Sequence, residues 1–335
     1  MPQAPFLQAQ FLQAQFLQLH RWAPETVAAE ARAGLLQPAA AVSPKFFYDS
    51  LGSCLFDAIT ELDEYYPTRL EAAILAAHQA DIAAEVHSRL GPGLTLVDLG
   101  AGNCAKAARL FASLQPSHYV ALDISVDFLR GAVNALQRQH PAVRMTGVGL
   151  DFSSQLVLPA GLLQGPALIF YPGSSIGNFS PDEALKLLRQ AHTLSAGGGL
   201  LIGVDMAKSA AVLEPAYDDA LGVTAAFNLN LLRHLNRLIG SDFKPQQWQH
   251  VALYNEQTGA SASRIEMHLQ SRVAQRVTFD GGQRDFAAGE RIHTENSYKW
   301  QRGDFEALLR DAGFARVQTF TDDKGWYAVM LAQAA

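Results

Sequence analysis

Cysteine is scarce: Cys54 and Cys104 are the only two in 335 residues, and neither sits at a metal-ligand spacing. That excludes a disulfide framework and leaves two plain thiols, as in a reducing compartment. Long apolar runs are also missing, since no stretch reaches the roughly 18 residues of a membrane span. The first residues lack the charged start and apolar block of a signal sequence, so a cytoplasmic protein is expected. Charged residues are only 17% of the chain, the net charge is −6, and no Lys/Arg run offsets it. The electrostatic footprint of a nucleic-acid binder is therefore absent, and a small molecule is the expected partner of a monomer or weak dimer. Hydrophobic residues make up 49%, enough for one large core with a smaller companion.

What the chain does contain is organised around Leu94-Thr-Leu-Val-Asp-Leu-Gly-Ala-Gly-Asn-Cys-Ala-Lys106. A buried-strand run stops at Gly100 and Gly102, and a helix is expected from Lys106 to Leu114. A strand, a glycine loop and a helix N-terminus bring bare backbone N–H groups up to a nucleotide-like ligand. Strands at Tyr119–Asp123, Val143–Val148, Pro166–Tyr171 and Leu200–Val204 alternate with helices Val126–Gln139 and one opened by Ser180-Pro-Asp-Glu183. This alternation predicts an α/β fold, a mostly parallel Rossmann-like sheet with helices on both faces. Upstream, helices are expected at Glu25–Leu36 and Cys54–Leu62. Thr68 and Glu71 read as a capping box opening one long helix from Arg69 to Leu90.

The alternation breaks at Asp205. Residues 208–240 read as helical and 248–280 as antiparallel strands, before a helix at Asp304–Asp311 and strands Ala315–Phe320 and Trp326–Ala332 resume the α/β style. The expected division is a core of 61–205 and 298–335, and a smaller α+β substrate-binding part of 21–60 and 206–297. Residues 1–20, where Phe6, Phe11 and Phe16 are each followed by Leu-Gln, read as a weakly ordered arm because a period of five matches neither helix nor strand. Asp205, Asp218 and Asp219 read as solvated loop acids.

Gly100-x-Gly102-x-x-Ala105 fits a dinucleotide fingerprint as well as an S-adenosylmethionine loop. Asp123, about 20 residues beyond the loop, is placed to accept ribose hydroxyls from either cofactor. Asp151-Phe152, after the third strand, is placed to meet an adenine, the acid at its amine and the ring on its face. The finishing hairpin completes a methyltransferase topology, and no His/Asp or Lys/Tyr hydride-transfer pair ends a strand. S-adenosyl-L-methionine is therefore preferred to NAD, with an NAD-binding oxidoreductase or a nucleotide sensor as the distant alternative.

Tyr48-Asp-Ser-Leu-Gly-Ser53, Ile59-Thr-Glu-Leu-Asp-Glu-Tyr-Tyr-Pro-Thr-Arg69, Gly173-Ser-Ser-Ile-Gly-Asn178, Ala216-Tyr-Asp-Asp219, Gly222-Val-Thr224, Phe227-Asn228 and His293-Thr-Glu-Asn-Ser297 carry a more specific signal. From about Phe46 to the C-terminus the chain resembles the L-histidine Nα-methyltransferases of ergothioneine biosynthesis. Those enzymes methylate the α-amino nitrogen of histidine three times to give hercynine. The resemblance implies a class I methyltransferase fold and cofactor contacts at Gly100, Gly102, Lys106, Asp123, Asp151 and Phe152. It implies histidine contacts at Tyr65, Asn178, Tyr217, Glu295 and Ser297, with Phe56, Gly173 and Met267 lining the pocket and Tyr48 and Tyr65 flanking the reacting amine. No metal is implied; His293 beside Glu295 lacks a third ligand at a recognisable spacing. The chain departs from the family in its Ala-Gly-Asn-Cys loop, where Ser or Thr is common, and at Asn296, where an apolar residue is usual. Strand alternation would turn Asn296 away from the face that carries Glu295 and Ser297. A methyltransferase for another amino acid or small amine is the nearer alternative.

Overall fold

The computed structural model describes residues 12–19, 24–124, 126–257 and 262–334. Thirteen strands are described: β1 Gln15–Gln18, β2 Thr95–Leu99, β3 His118–Asp123, β4 Arg144–Gly149, β5 Ala167–Tyr171, β6 Gly199–Asp205, β7 Trp248–Asn255, β8 Ser263–Ser271, β9 Gln275–Phe279, β10 Gly282–Phe286, β11 Arg291–Lys299, β12 Phe314–Thr321 and β13 Tyr327–Ala334. The central sheet runs β1-β4-β3-β2-β5-β6-β13-β12. Strands β1 to β6 pair in parallel, whereas β13 is antiparallel to both β6 and β12. Chain order reverses between β2 and β5, so the β2 loop opens at the switch point where open α/β sheets hold ligands. The expected α/β architecture is thus present. Strands β2 to β6 read as near-continuous apolar runs because helices cover both faces.

A separate hydrophobic core joins residues far apart in sequence. It packs Leu35, Phe46 and Phe47 from the N-terminal segment against Phe227, Leu231 and Leu235 of helix Val223–Ile239 and against Trp248, Ile265 and Met267 of the sheet β11-β8-β7. Backbone hydrogen bonds stitch the two pieces together, with His293 N donating to Ala40 O (2.8 Å) and Val42 N donating to His293 O (2.9 Å).

Several local expectations need correction. Gln15–Gln18, part of the arm read as weakly ordered, is a strand parallel to β4, because the open edge of β4 supplies the backbone partners. The ring of Phe16 lies over Gly147, and Arg130 covers it at 4.4 Å. Phe6 and Phe11 lie outside the described residues. The helix expected from Arg69 to Leu90 is two, Tyr66–Ala77 and Gln79–Leu90, broken at His78, whose ring leaves the helical path to stack on Phe320 at 4.9 Å. The first begins before Thr68, so Thr68 and Glu71 form no capping box. Lys106–Leu114 is likewise split, into Ala105–Ala108 and Phe111–Leu114. By contrast, Ser180 and Glu183 do form the expected cap of helix Pro181–Ser195, the Ser180 N–H donating to Glu183 at 2.9 Å.

One close approach sets the distance between the sheet and the second core. The turn Ser175–Asn178 after β5 lies against β11 so closely that a Cβ on Gly177 would sit 3.0 Å from Tyr298 O and 3.4 Å from Ser297 Oγ. Gly177→Ala is expected to lower stability by about 1–3 kcal/mol through this overpacking. Gly131→Ala, on the exposed face of helix Val126–Gln139 where nothing lies within 4 Å, should instead stabilise by about 0.5–1 kcal/mol. Thermal unfolding of both variants checks the pair.

Candidate active site

The β2 loop turns with positive φ at Gly100 (70°) and Gly102 (52°), conformations that favour glycine. The Gly100 and Ala101 N–H groups both donate to Leu122 O (2.9 Å), and the Gly102 N–H donates to Asp123 Oδ2 (2.9 Å). The loop is thereby fastened to the end of β3. Beside it opens a cavity of about 670 Å³ lined by Gly100, Gly102, Lys106, Asp123, Asp151 and Phe152, within the size range of small-molecule sites. Asp151 is buried and accepts from Ser153 N (3.0 Å) and Ser153 Oγ, while Phe152 meets Tyr171 edge-on at 5.8 Å. Acid, aromatic and glycine backbone therefore line one wall of the cavity. Lys45, from the N-terminal segment, reaches across this wall to within 3.8 Å of Asp151.

A smaller chamber adjoins the cavity and shares Tyr48, Phe56, Tyr65, Gly173, Ser175 and Asn178 with it. Its remaining lining includes Tyr217, Met267, Glu295 and Ser297. Every pocket residue expected from the sequence therefore lines one or both of these two adjoining spaces. Aromatic rings form one wall: Tyr48 and Phe56 meet at 5.8 Å, Phe56 and Tyr65 at 6.3 Å, Tyr65 and Tyr217 at 6.2 Å. Phe227, singled out only as part of a motif, closes the set at 5.9 Å from Tyr48 and 6.0 Å from Phe56. Burial pushes the phenols of Tyr48, Tyr65 and Tyr217 well above their ordinary range, helped by the neighbouring acid Glu295. They stay neutral and can donate hydrogen bonds.

The opposite wall is β11. Glu295 stands beside Met267 of β8, next to a register shift at His293/Glu295. Beyond that shift, alternation puts Glu295 and Ser297 on the chamber face and sends Asn296 away, where its Oδ1 lies 3.0 Å from His293 Nε2. Glu295 is buried, and among the described residues its carboxylate has no hydrogen-bond partner. Loss of solvent pushes its pKa up to about 7, against a smaller opposing pull from Lys299.

Sequence reasoning missed the charged groups behind these walls. Glu71, read as a capping acid, is buried and accepts from Gly173 N (2.6 Å), Lys106 Nζ (2.7 Å) and Tyr327 Oη (2.7 Å). It ties the cofactor loop's helix to the turn that carries Asn178. Asp205, read as a solvated acid, is fully buried and accepts from Tyr66 Oη (2.8 Å), Lys208 Nζ (2.5 Å) and Lys299 Nζ (2.8 Å). Burial works to raise its carboxyl, but Lys299 and Lys208 outweigh that and hold it below the carboxylate range. Asp219 is buried too; it caps helix Val223–Ile239, accepting from Val223 N (2.9 Å) and Thr224 N (2.8 Å). Of the three acids only Asp218 is exposed. The one signal available was the period of two along Glu295, Ser297 and Lys299, which puts a lysine on the face of a buried strand.

A parallel sheet finished by an antiparallel hairpin, with a glycine loop, a following acid and a cavity of about 670 Å³ at its switch point, is the architecture of an S-adenosylmethionine-dependent methyltransferase. More particularly, the chain belongs to the histidine-specific, S-adenosylmethionine-dependent methyltransferase family, whose pattern matches residues 27–334. It is 38% identical to a histidine N-alpha-methyltransferase of Mycolicibacterium smegmatis over 92% of this chain and 95% of that one. A histidine N-alpha-methyltransferase of Mycobacterium tuberculosis is 38% identical, covering 90% and 92% respectively. An ergothioneine biosynthesis protein 1 of Neurospora crassa is 30% identical over 82% of this chain, which spans 31% of that longer protein.

The chamber generates a pH prediction. Glu295 holds its proton to about pH 7 in the folded protein, against an ordinary 4.5. The folded state therefore binds more protons than the unfolded one between these values, and stability is lost as pH rises through that window. Glu295→Gln should unfold at a higher temperature than the parent above about pH 7, worth about 3 kcal/mol, with the gap closing toward pH 4.5. Thermal unfolding of the ligand-free protein measures it, and a gap that does not change with pH would remove the desolvation account.

Proposed function

We propose that this enzyme transfers methyl groups from S-adenosyl-L-methionine to the α-amino nitrogen of L-histidine, three times in succession, to give hercynine for ergothioneine synthesis. The observation that carries the substrate assignment is the pairing of Glu295 and Ser297 on one chamber wall, because a buried carboxylate and a buried hydroxyl together suit the two ring nitrogens of an imidazole. A phenyl or alkyl side chain would leave both unpaired, a mismatch that can cost roughly 10⁴-fold in discrimination.

In this reading Gly100, Gly102, Lys106, Asp123, Asp151 and Phe152 hold the cofactor, which supplies an electrophilic methyl when bound. Asn178 orients the substrate carboxylate by a neutral donor with Tyr217 beside it, Glu295 accepts the imidazole N–H, and Phe56, Gly173 and Met267 shape the pocket. Tyr48 and Tyr65 stand at the junction of chamber and cavity, where the amine must sit. Their neutral hydroxyls orient its lone pair toward the methyl. Their rings, with Phe56 and Phe227, accommodate the cation that grows with each methylation. Catalysis is then chiefly positioning, since methyl transfer needs a neutral amine in line and no nucleophilic side chain.

No helix of the described residues is long and apolar enough to cross a membrane. Incubation with S-adenosylmethionine and a panel of amino acids should give mono-, di- and trimethylated histidine by mass. Methylation of another amino acid in its place would redirect the assignment. Glu295→Ala should raise the histidine KM at least tenfold while S-adenosylhomocysteine affinity, measured by calorimetry, stays within about twofold. Equal loss of both affinities would make Glu295 a structural residue.

A further inference from the structure

Lys299 follows Ser297 on the same face of β11 and is almost completely buried, 1% exposed. Its Nζ lies 2.8 Å from each of three oxygens, Asp205 Oδ2, Tyr217 Oη and Ser297 Oγ. Three acceptors consume the three protons of an ammonium group, which has no lone pair to give back. Tyr217 Oη and Ser297 Oγ are themselves 2.8 Å apart, so one hydroxyl proton spans that gap. The two hydroxyls bring two protons. One closes the triangle, and the other finds no acceptor inside the cluster. Both residues line the chamber, so this second proton is directed there.

The other charged and titratable groups around the triangle leave this count unchanged. Asp205 is already engaged by Tyr66 and Lys208, and its cations keep it ionised. Lys208 lies on the far side of Asp205, held there by Met206 O and Tyr66 Oη. Glu295 shares the strand face but contacts neither hydroxyl, and Tyr48 and Tyr65 stand on the aromatic wall as neutral phenols.

We propose that Lys299 is a positioning residue that fixes the Tyr217–Ser297 pair as a hydrogen-bond donor toward the substrate, so that the chamber takes its heteroaromatic ring as a neutral base. One ring nitrogen keeps its proton for Glu295, and the other presents a bare lone pair to the hydroxyl pair. This deepens the histidine assignment and rests on it. An imidazolium, with a proton on each nitrogen, would set donor against donor and leave a buried polar group unpaired. An indole, which can only donate, fails at the same wall. The lysine thus selects ring protonation state without touching the ring.

The test uses ring-¹⁵N L-histidine bound to the protein with S-adenosylhomocysteine, observed by NMR at about pH 6, below the free imidazole pKa of about 6.5. One protonated and one bare ring nitrogen are expected in the complex; two protonated nitrogens would overturn the proposal. Lys299→Met, read beside its S-adenosylhomocysteine affinity as the control for folding, should bind histidine about tenfold more weakly or worse. Its bound ring should now carry both protons at about pH 6. Unchanged histidine affinity with a single ring proton would show that Lys299 plays no such part. Because the lysine acts through the hydroxyl, adding Ser297→Ala to Lys299→Met should cost no more than about twofold, whereas fully additive losses would count against it. Should Lys299→Met fail to fold because Asp205 loses a cation, the spectrum of the parent protein decides. A parent that binds S-adenosylhomocysteine but not histidine would defeat the substrate assignment instead.

Discussion

The ion pair between Asp205 and Lys299 sits where the two halves of the molecule meet, and both charges are out of reach of water. Asp205 ends the last parallel strand of the central sheet, and Lys299 ends β11 of the second core. Neither charge is affordable alone at that depth, since removing one partner of a buried pair typically costs about 3–5 kcal/mol. The pair therefore holds the end of β6 and the end of β11 in one register. Tyr66 and Lys208 complete the shell around Asp205 and bring the start of helix Tyr66–Ala77, next to Tyr65, to the same point.

A second buried acid performs the matching task on the cofactor side. Glu71 gathers Lys106, Gly173 and Tyr327, which come from the glycine-loop helix, the β5 exit and the final strand. Together the two acids fix both ends of the segment from β5 to β6 that carries Asn178. Phenols, an amide and a hydroxyl line the chamber, while the full charges of Asp205 and Lys299 stay behind them. Glu295 is the exception, a buried carboxyl on the chamber face that loss of solvent holds well above its ordinary pKa.

Much of the sheet was legible because its cues are local. Strand runs of five or six apolar residues, glycines where φ turns positive and the Ser180–Glu183 cap all act between near neighbours, and each appears where it was read. Boundaries failed where packing overrode local preference. His78 left its helix to stack on Phe320, and the Gln15–Gln18 strand formed because β4 had a free edge, not because its own five-residue period favours a strand.

Sequence alone determined the α/β alternation, the glycine loop with its acids and the family motifs that name the pocket residues, since periodicity, turn chemistry and motif spacing are properties of contiguous residues. The tertiary structure alone decided that Asp205, Asp219 and Glu71 are buried, that Lys45 reaches the cofactor wall and that Lys299 stands behind Tyr217 and Ser297. A charged residue in a sequence carries no mark of its depth. Whether it is a solvated surface group or a buried anchor depends on partners from other segments, and only the folded chain brings those partners within hydrogen-bonding distance.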